Sequence, residues 1–151
     1  MRPTALGPWA SFLRMPQDTF LLDPGPPDLA DLDGAQAAAL AGRARTLGFA
    51  VFTLDGSRMR TKPELLEHLA AALGFPGDFG RNWDAAVDYL GDLAGLHPGE
   101  KFLVLVEDPQ AMEGVEPRLY LDFREVCACA CENSRQWSRG AVRLKFVFLK
   151  A

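Results

Sequence analysis

The chain has 151 residues, 48% of them hydrophobic and 24% charged, with a formal net charge of −4. That length suits one domain with a real core, and the composition excludes a disordered chain. The acidic balance argues against nucleic acid as a direct partner, because phosphate binding needs clustered Lys and Arg, but it permits a basic protein partner.

The start, "MRPTALGPWASFLRM", carries prolines and an arginine where a secretory signal needs an unbroken apolar stretch. No run is long and apolar enough to span a bilayer. A cytoplasmic location is expected. Residues 1–33 contain Trp9, Phe12, Phe20, Leu21 and Leu22, too apolar for a free tail. They read as an extension docked on the domain, with a short strand at "TFLLD" and a loop at "DPGPPDLADLD".

A helix follows in "DGAQAAALAGRARTLGF". Asp33 and Gln36 have the spacing of a capping box, Leu40, Ala44 and Leu47 mark one face, and Gly48 suits the exit. "FAVFTL" is strand-like and ends at the Asp55-Gly56 turn signal. "TKPELLEHLAAALGF" predicts a helix with both ends marked. Thr61 and Glu64 make a capping box, Pro63 sits in the first turn, Gly74 closes the helix and Pro76 prevents continuation. A second helix is expected from about Arg81 to Ala94. "KFLVLVED" is a continuous apolar run of central-strand type. A helix over about Arg118–Trp137 and a strand in "VRLKFVFLK" complete the order, the strand alternating at Val142, Leu144, Phe146 and Phe148. Strands separated by helices call for parallel crossovers. The expected fold is therefore a one-domain α/β protein over residues 34–151, with a three-stranded parallel sheet packed with helices.

The chemistry concentrates in "GFPGDFGRNWDAAVDYLGDL". Asp84, Asp88 and Asp92 stand four residues apart, and each step of four turns a helix by about 40° beyond a full circle. They predict one slanted acidic stripe beside an apolar face of Trp83, Val87, Leu90 and Ala94. Like charges at this spacing repel by roughly 0.2–0.5 kcal/mol per pair. A solvated helix face is the ordinary explanation of such a run. Asp84, near the helix start, is favoured by the helix dipole. Asp88 and Asp92 have no such support and no Lys or Arg four residues on. With Asp78 and the single base Arg81, the segment Gly74–Gly95 holds four acids against one cation, a local charge of −3. Part of that charge is aimed outside the chain.

Other chemistry has less behind it. Asp84, Asp88 and Glu125 could hold Mg²⁺ or act as an acid–base set, but no further ligands converge on them in sequence. There is no P-loop, GxSxG or HExxH pattern, and the two histidines, His68 and His97, lie far apart. No enzyme activity, metal or cofactor is expected. Cys127, Cys129 and Cys131 form "CACAC" without a second ligand group, which reads as reduced thiols, some of them helix core. Trp83 reads first as core and second as a partner-facing anchor, Phe79 equally as either, and Trp137 as core or a helix-end staple.

The stretch "LGFPGDFGRNWDAAVDYLGDL" resembles the signature of the barstar family, intracellular inhibitors of secreted ribonucleases. Leu73, Pro76, Phe79-Gly80, Asn82, Asp84-Ala85 and Asp88 carry the likeness. "VFTLDGSRMRTKPELLEHLAAAL", "FLVLVED", "FREV" and "RLKFVFLK" extend it over residues 48–151, leaving 1–47 outside. The resemblance implies that the acidic helix and the loop before it plug a ribonuclease active site, a carboxylate replacing a phosphate's oxygen pair before Arg, Lys and His. It implies that Asp88 enters the phosphate site with Asp84 as its neighbour, that Asn82 and Gly80 contact through the loop, and that Glu125 is a peripheral acidic contact. Asp78, Phe79, Trp83 and Asp92 complete the candidate partner-binding set. The implied partner is a basic protein of the secreted ribonuclease type or a related toxin, neutralised inside the producing cell. The barnase–barstar pair is itself the reference case for charge-steered association, so that property comes with the resemblance. The chain departs from the family pattern at Asp78 (a tyrosine there), Arg81 (an acid), Val87 (a tryptophan) and Asp92 (a small neutral residue), and these positions bear on which target is bound. The alternative is a non-inhibitory interaction or regulatory module on the same fold.

Overall fold

The computed structural model describes residues 16–151. Trp9 and Phe12, expected in the docked extension, lie outside the described residues. Two flanking helices come first on one side of the sheet: α1, Pro16–Leu22, and α2, Ala37–Thr46. Between them runs β1, Leu29–Asp33. Then follow β2, Ala50–Asp55, α3, Lys62–Leu73, α4, Trp83–Gly91, and a short α5, Leu93–Leu96. The chain ends with β3, Lys101–Glu107, α6, Pro109–Val115, α7, Pro117–Trp137, and β4, Arg143–Lys150.

The sheet has four strands in the order β1-β4-β3-β2, and every pairing is parallel. The expected three strands are all present. The fourth corrects the sequence reading: "LADLD", expected as loop, pairs Leu29–Asp33 with Phe146–Lys150. Its two aspartates and edge position hide it: Asp31 and Asp33 are exposed, and Leu29, Ala30 and Leu32 are only partly buried. The "TFLLD" strand is also corrected. That stretch lies in and just after α1, which is held by burial of Leu21 and by an ion pair from Asp18 to Arg43 of α2, 2.6 Å. Both forces come from outside the segment, so local pattern could not supply them.

Side chains alternate through the sheet, as the strand pleat requires. Phe102, Val104, Val106, Leu144, Phe146 and Phe148 face a large core shared with α3, α4, α6 and α7. Leu103, Leu105, Val147 and Leu149 face a smaller core with α1 and α2. Helices on both faces are what a parallel sheet demands. Each fully buried leucine or phenylalanine contributes about 1.5–3 kcal/mol.

The α3 ends follow the sequence signals. Thr61 Oγ1 accepts from the Glu64 N–H at 3.2 Å, and Gly74 closes the helix in the left-handed region at φ 72°. At the Asp55-Gly56 turn, a Cβ on Gly56 would collide with the Asp108 carbonyl oxygen, so only glycine lets the two loops touch. Lys145 of β4 is 1% exposed, and its ammonium donates to the carbonyls of Gly25 and Pro27 at 2.9 and 2.8 Å. Asp28 lies between Lys145 and Arg135, tying the 23–28 loop to β4 and α7. No helix among the described residues is long and apolar enough to cross a membrane.

Candidate functional site

The acidic helix is shorter than its sequence pattern. Asn82 is the N-cap, its side-chain oxygen accepting from the Ala85 N–H at 2.8 Å. The helix then runs only to Gly91 and breaks at Asp92, whose φ of −122° is not helical. The three-aspartate stripe is thereby corrected to two helical aspartates. Asp92 instead folds over Gly95, where a Cβ would come within 2.9 Å of its carboxylate carbon.

Asp84 and Asp88 are exposed. Among the described residues, neither forms an ion pair, and neither does Asp92. The nearest loop cation is engaged elsewhere: Arg81 binds Glu67 of α3 through Nε at 2.8 Å and Nη2 at 3.2 Å, and donates to the Phe79 carbonyl at 3.1 Å. Asp78, also exposed, accepts from the Tyr89 hydroxyl at 3.2 Å. Desolvation, with the charges of Asp78 and Asp88 behind it, raises the Tyr89 hydroxyl above its ordinary pKa. The loop and α4 together present a negative surface whose own cation is turned away.

The remaining candidates separate by burial. Phe79 is 3% exposed, with its ring against Phe75 and Tyr89 at 5.0 and 5.8 Å, so of its two readings the structure places the side chain in the core. Gly80 is exposed, and its carbonyl accepts from Asn82 Nδ2 at 3.2 Å. Trp83 is half-buried against the main core, and the Lys62 ammonium sits 5.0 Å from its ring centre. Glu125 of α7 is exposed and, among the described residues, without an ion pair. Its neighbour Arg124 reaches away to Asp31 at 2.9 Å, with its guanidinium 4.4 Å from the Phe148 ring centre.

A groove of about 270 Å³ separates α4 from α7, lined by Trp83, Val87, Asp122, Glu125, Val126 and Cys129. It brings Glu125 to the same face as the acidic helix. Trp137, read as core or staple, is 55% exposed at the end of this seam. Its partial contact with Gly91 was not readable from sequence, since nothing local to either residue predicts it.

Cys127 and Cys131 are buried free thiols, and burial pushes both far above the ordinary thiol pKa, while Cys129 is an exposed free thiol. Among the described residues, no group of three His, Cys, Asp or Glu side chains is arranged to hold a metal ion. The family model described as Barstar (barnase inhibitor) matches residues 49–148. No curated protein matches the chain.

Proposed function

The chain belongs to the barstar family, and from that premise we propose that it is a stoichiometric inhibitor of a basic ribonuclease-type toxin. It acts in the cytoplasm of the producing cell and needs no cofactor. Asp88 enters the toxin's phosphate site, and Asp84 supports it from one turn earlier. Gly80, Asn82 and Asp78 shape the contact from the loop. Glu125 adds a peripheral carboxylate from α7.

The observation that carries this reading is the state of the two helical aspartates. Both are exposed and, among the described residues, free of ion pairs, while Arg81 is drawn off to Glu67. A helix stabilising itself would have set a cation against them. Carboxylates left in water are ready to exchange their hydration for a partner's guanidinium, and such charge-assisted bonds are the strong ones.

The test begins with capture of the partner from native lysate and its identification by mass spectrometry. Its nuclease activity is then titrated with the purified chain. Inhibition should saturate at one inhibitor per nuclease, and Asp88→Ala should weaken binding by at least about 2 kcal/mol, the range of interface hot spots. Unchanged affinity in that variant would reduce the acidic helix to a wet surface. A partner bound through the same helix without loss of nuclease activity would favour the interaction-module alternative.

A further inference from the structure

We infer that Trp137 is a docking residue, an aromatic platform for an arginine of the basic partner at the end of the acidic helix. This rests on the reading of α4 as the partner-facing element.

The two helices set the geometry. On α4, Trp83, Val87 and Gly91 step by four residues along the side facing α7. Trp83 and Val87 meet Val126 and Cys129 in the groove. One turn later, Gly91 meets Ala130, Asn133 and Trp137, and a Cβ there would stand only 3.0 Å from Trp137 Cζ3. The bare backbone at Gly91 is what lets the indole lean on α4. Gly91 and Trp137 thus lie one turn beyond the groove along the same pair of helices, and Asp88 precedes Gly91 by less than one helical turn.

Charge and exposure identify the occupant. The groove is lined by apolar Trp83, Val87 and Val126 together with the carboxylates Asp122 and Glu125 of α7, and Asp84 and Asp88 stand exposed one position along α4 from Trp83 and Val87. Such a surface fits side chains with an aliphatic stem and a cationic head. Trp83 already has a cation over its ring, the Lys62 ammonium at 5.0 Å. Among the described residues, no lysine or arginine stands over Trp137, which remains 55% exposed. Arg135 is committed to Asp28 and Glu132. Tryptophan is the best ring for a cation, and arginine its commonest partner.

The test uses fluorescence anisotropy of labelled nona-arginine, with nona-glutamate as control, on the full chain at low salt. Trp137→Ala should weaken nona-arginine binding at least about threefold, and Trp137→Phe by less, because a weaker ring face remains. Asp88→Asn should weaken it independently. Thermal melts verify folding, and Trp137→Phe carries the test if Trp137→Ala does not fold. If Asp88→Asn weakens binding but both Trp137 variants match the parent, the tryptophan inference is overturned and the acidic-helix reading stands. If only the Trp137 variants weaken it, the ring takes arginine without help from α4, and the inference is overturned together with the acidic-helix reading it rests on. A parent chain that ignores nona-arginine overturns both. Self-association lost in Trp137→Ala would show that a second copy covers the ring, and would also overturn the inference.

Discussion

Arg81 and Glu67 form a two-point ion pair, Nε to Oε2 at 2.8 Å and Nη2 to Oε1 at 3.2 Å, across the gap between the binding loop and α3. The pair clears the only cation of the Gly74–Gly95 segment from the surface that Asp84 and Asp88 present. The guanidinium also holds the Glu67 carboxyl below its ordinary pKa. Arg81 reaches this position from a left-handed backbone, φ 49°, which asparagine tolerates better than most residues.

Arg81→Asn should therefore keep the loop and remove one positive charge beside the acidic helix. Association with a basic partner should quicken by roughly twofold at low ionic strength, and the gain should vanish in high salt. Stopped-flow mixing at several salt concentrations measures this. An unchanged association rate would mean that Arg81 is already electrically silent where it stands.

Asp84 and Asp88 are chemically alike but placed differently on α4. Asp84 lies in the first turn, where the helix dipole favours a carboxylate, whereas Asp88 lies one turn further on. Replacing either with alanine removes their mutual repulsion, but only Asp84→Ala also gives up the dipole contribution. Asp88→Ala should thus be the more stable variant, by about 0.3–1 kcal/mol at low salt. Urea unfolding of the two side by side reads the difference, and equal midpoints would show that the helix start contributes nothing.

Asn82 carries two duties, and one pair of substitutions separates them. Its side-chain oxygen caps α4 on the Ala85 N–H, 2.8 Å away, so Asn82→Ala should cost about 1 kcal/mol of stability. Asn82→Asp keeps the acceptor and should retain most of that. If partner binding falls in the alanine variant and survives in the aspartate, the residue serves recognition by starting the helix rather than through its amide group.

What could be read from sequence was what local chemistry decides. Thr61, Pro63 and Gly74 mark α3 because a cap, a missing N–H and a positive φ act within one turn of the chain. β3 was visible because a strand buried on both faces is apolar almost throughout, and β4 because Leu144, Phe146 and Phe148 alternate along it. The missed features were decided at a distance. β1 is a strand because β4 offers it an edge, and α1 is a helix because Arg43 and the second core receive Asp18 and Leu21. The site divides the same way. Exposure of Asp84 and Asp88 followed from helical spacing, but burial of Phe79, the break at Asp92 and the position of Trp137 over Gly91 depend on contacts between elements.

His68 gives the fold a pH dependence of definite sign. Its Nε2 accepts from the Asp55 N–H at 2.9 Å, so the ring is neutral at that nitrogen in the folded chain. Burial, then the Arg58 charge, lowers its pKa below the ordinary 6.5, and the Asp55 charge only partly opposes them. The unfolded chain therefore takes up this proton first as pH falls. The stabilisation is fully present above about pH 6.5 and is lost as pH drops through the lowered folded value. Protonation would set an N–H against an N–H at the end of β2, next to the turn where Gly56 meets Asp108. Urea midpoints should fall between pH 7.5 and pH 5.5, and His68→Gln, which can offer a carbonyl acceptor to the same N–H, should flatten that fall. An equally steep fall in the variant would assign the loss to other groups.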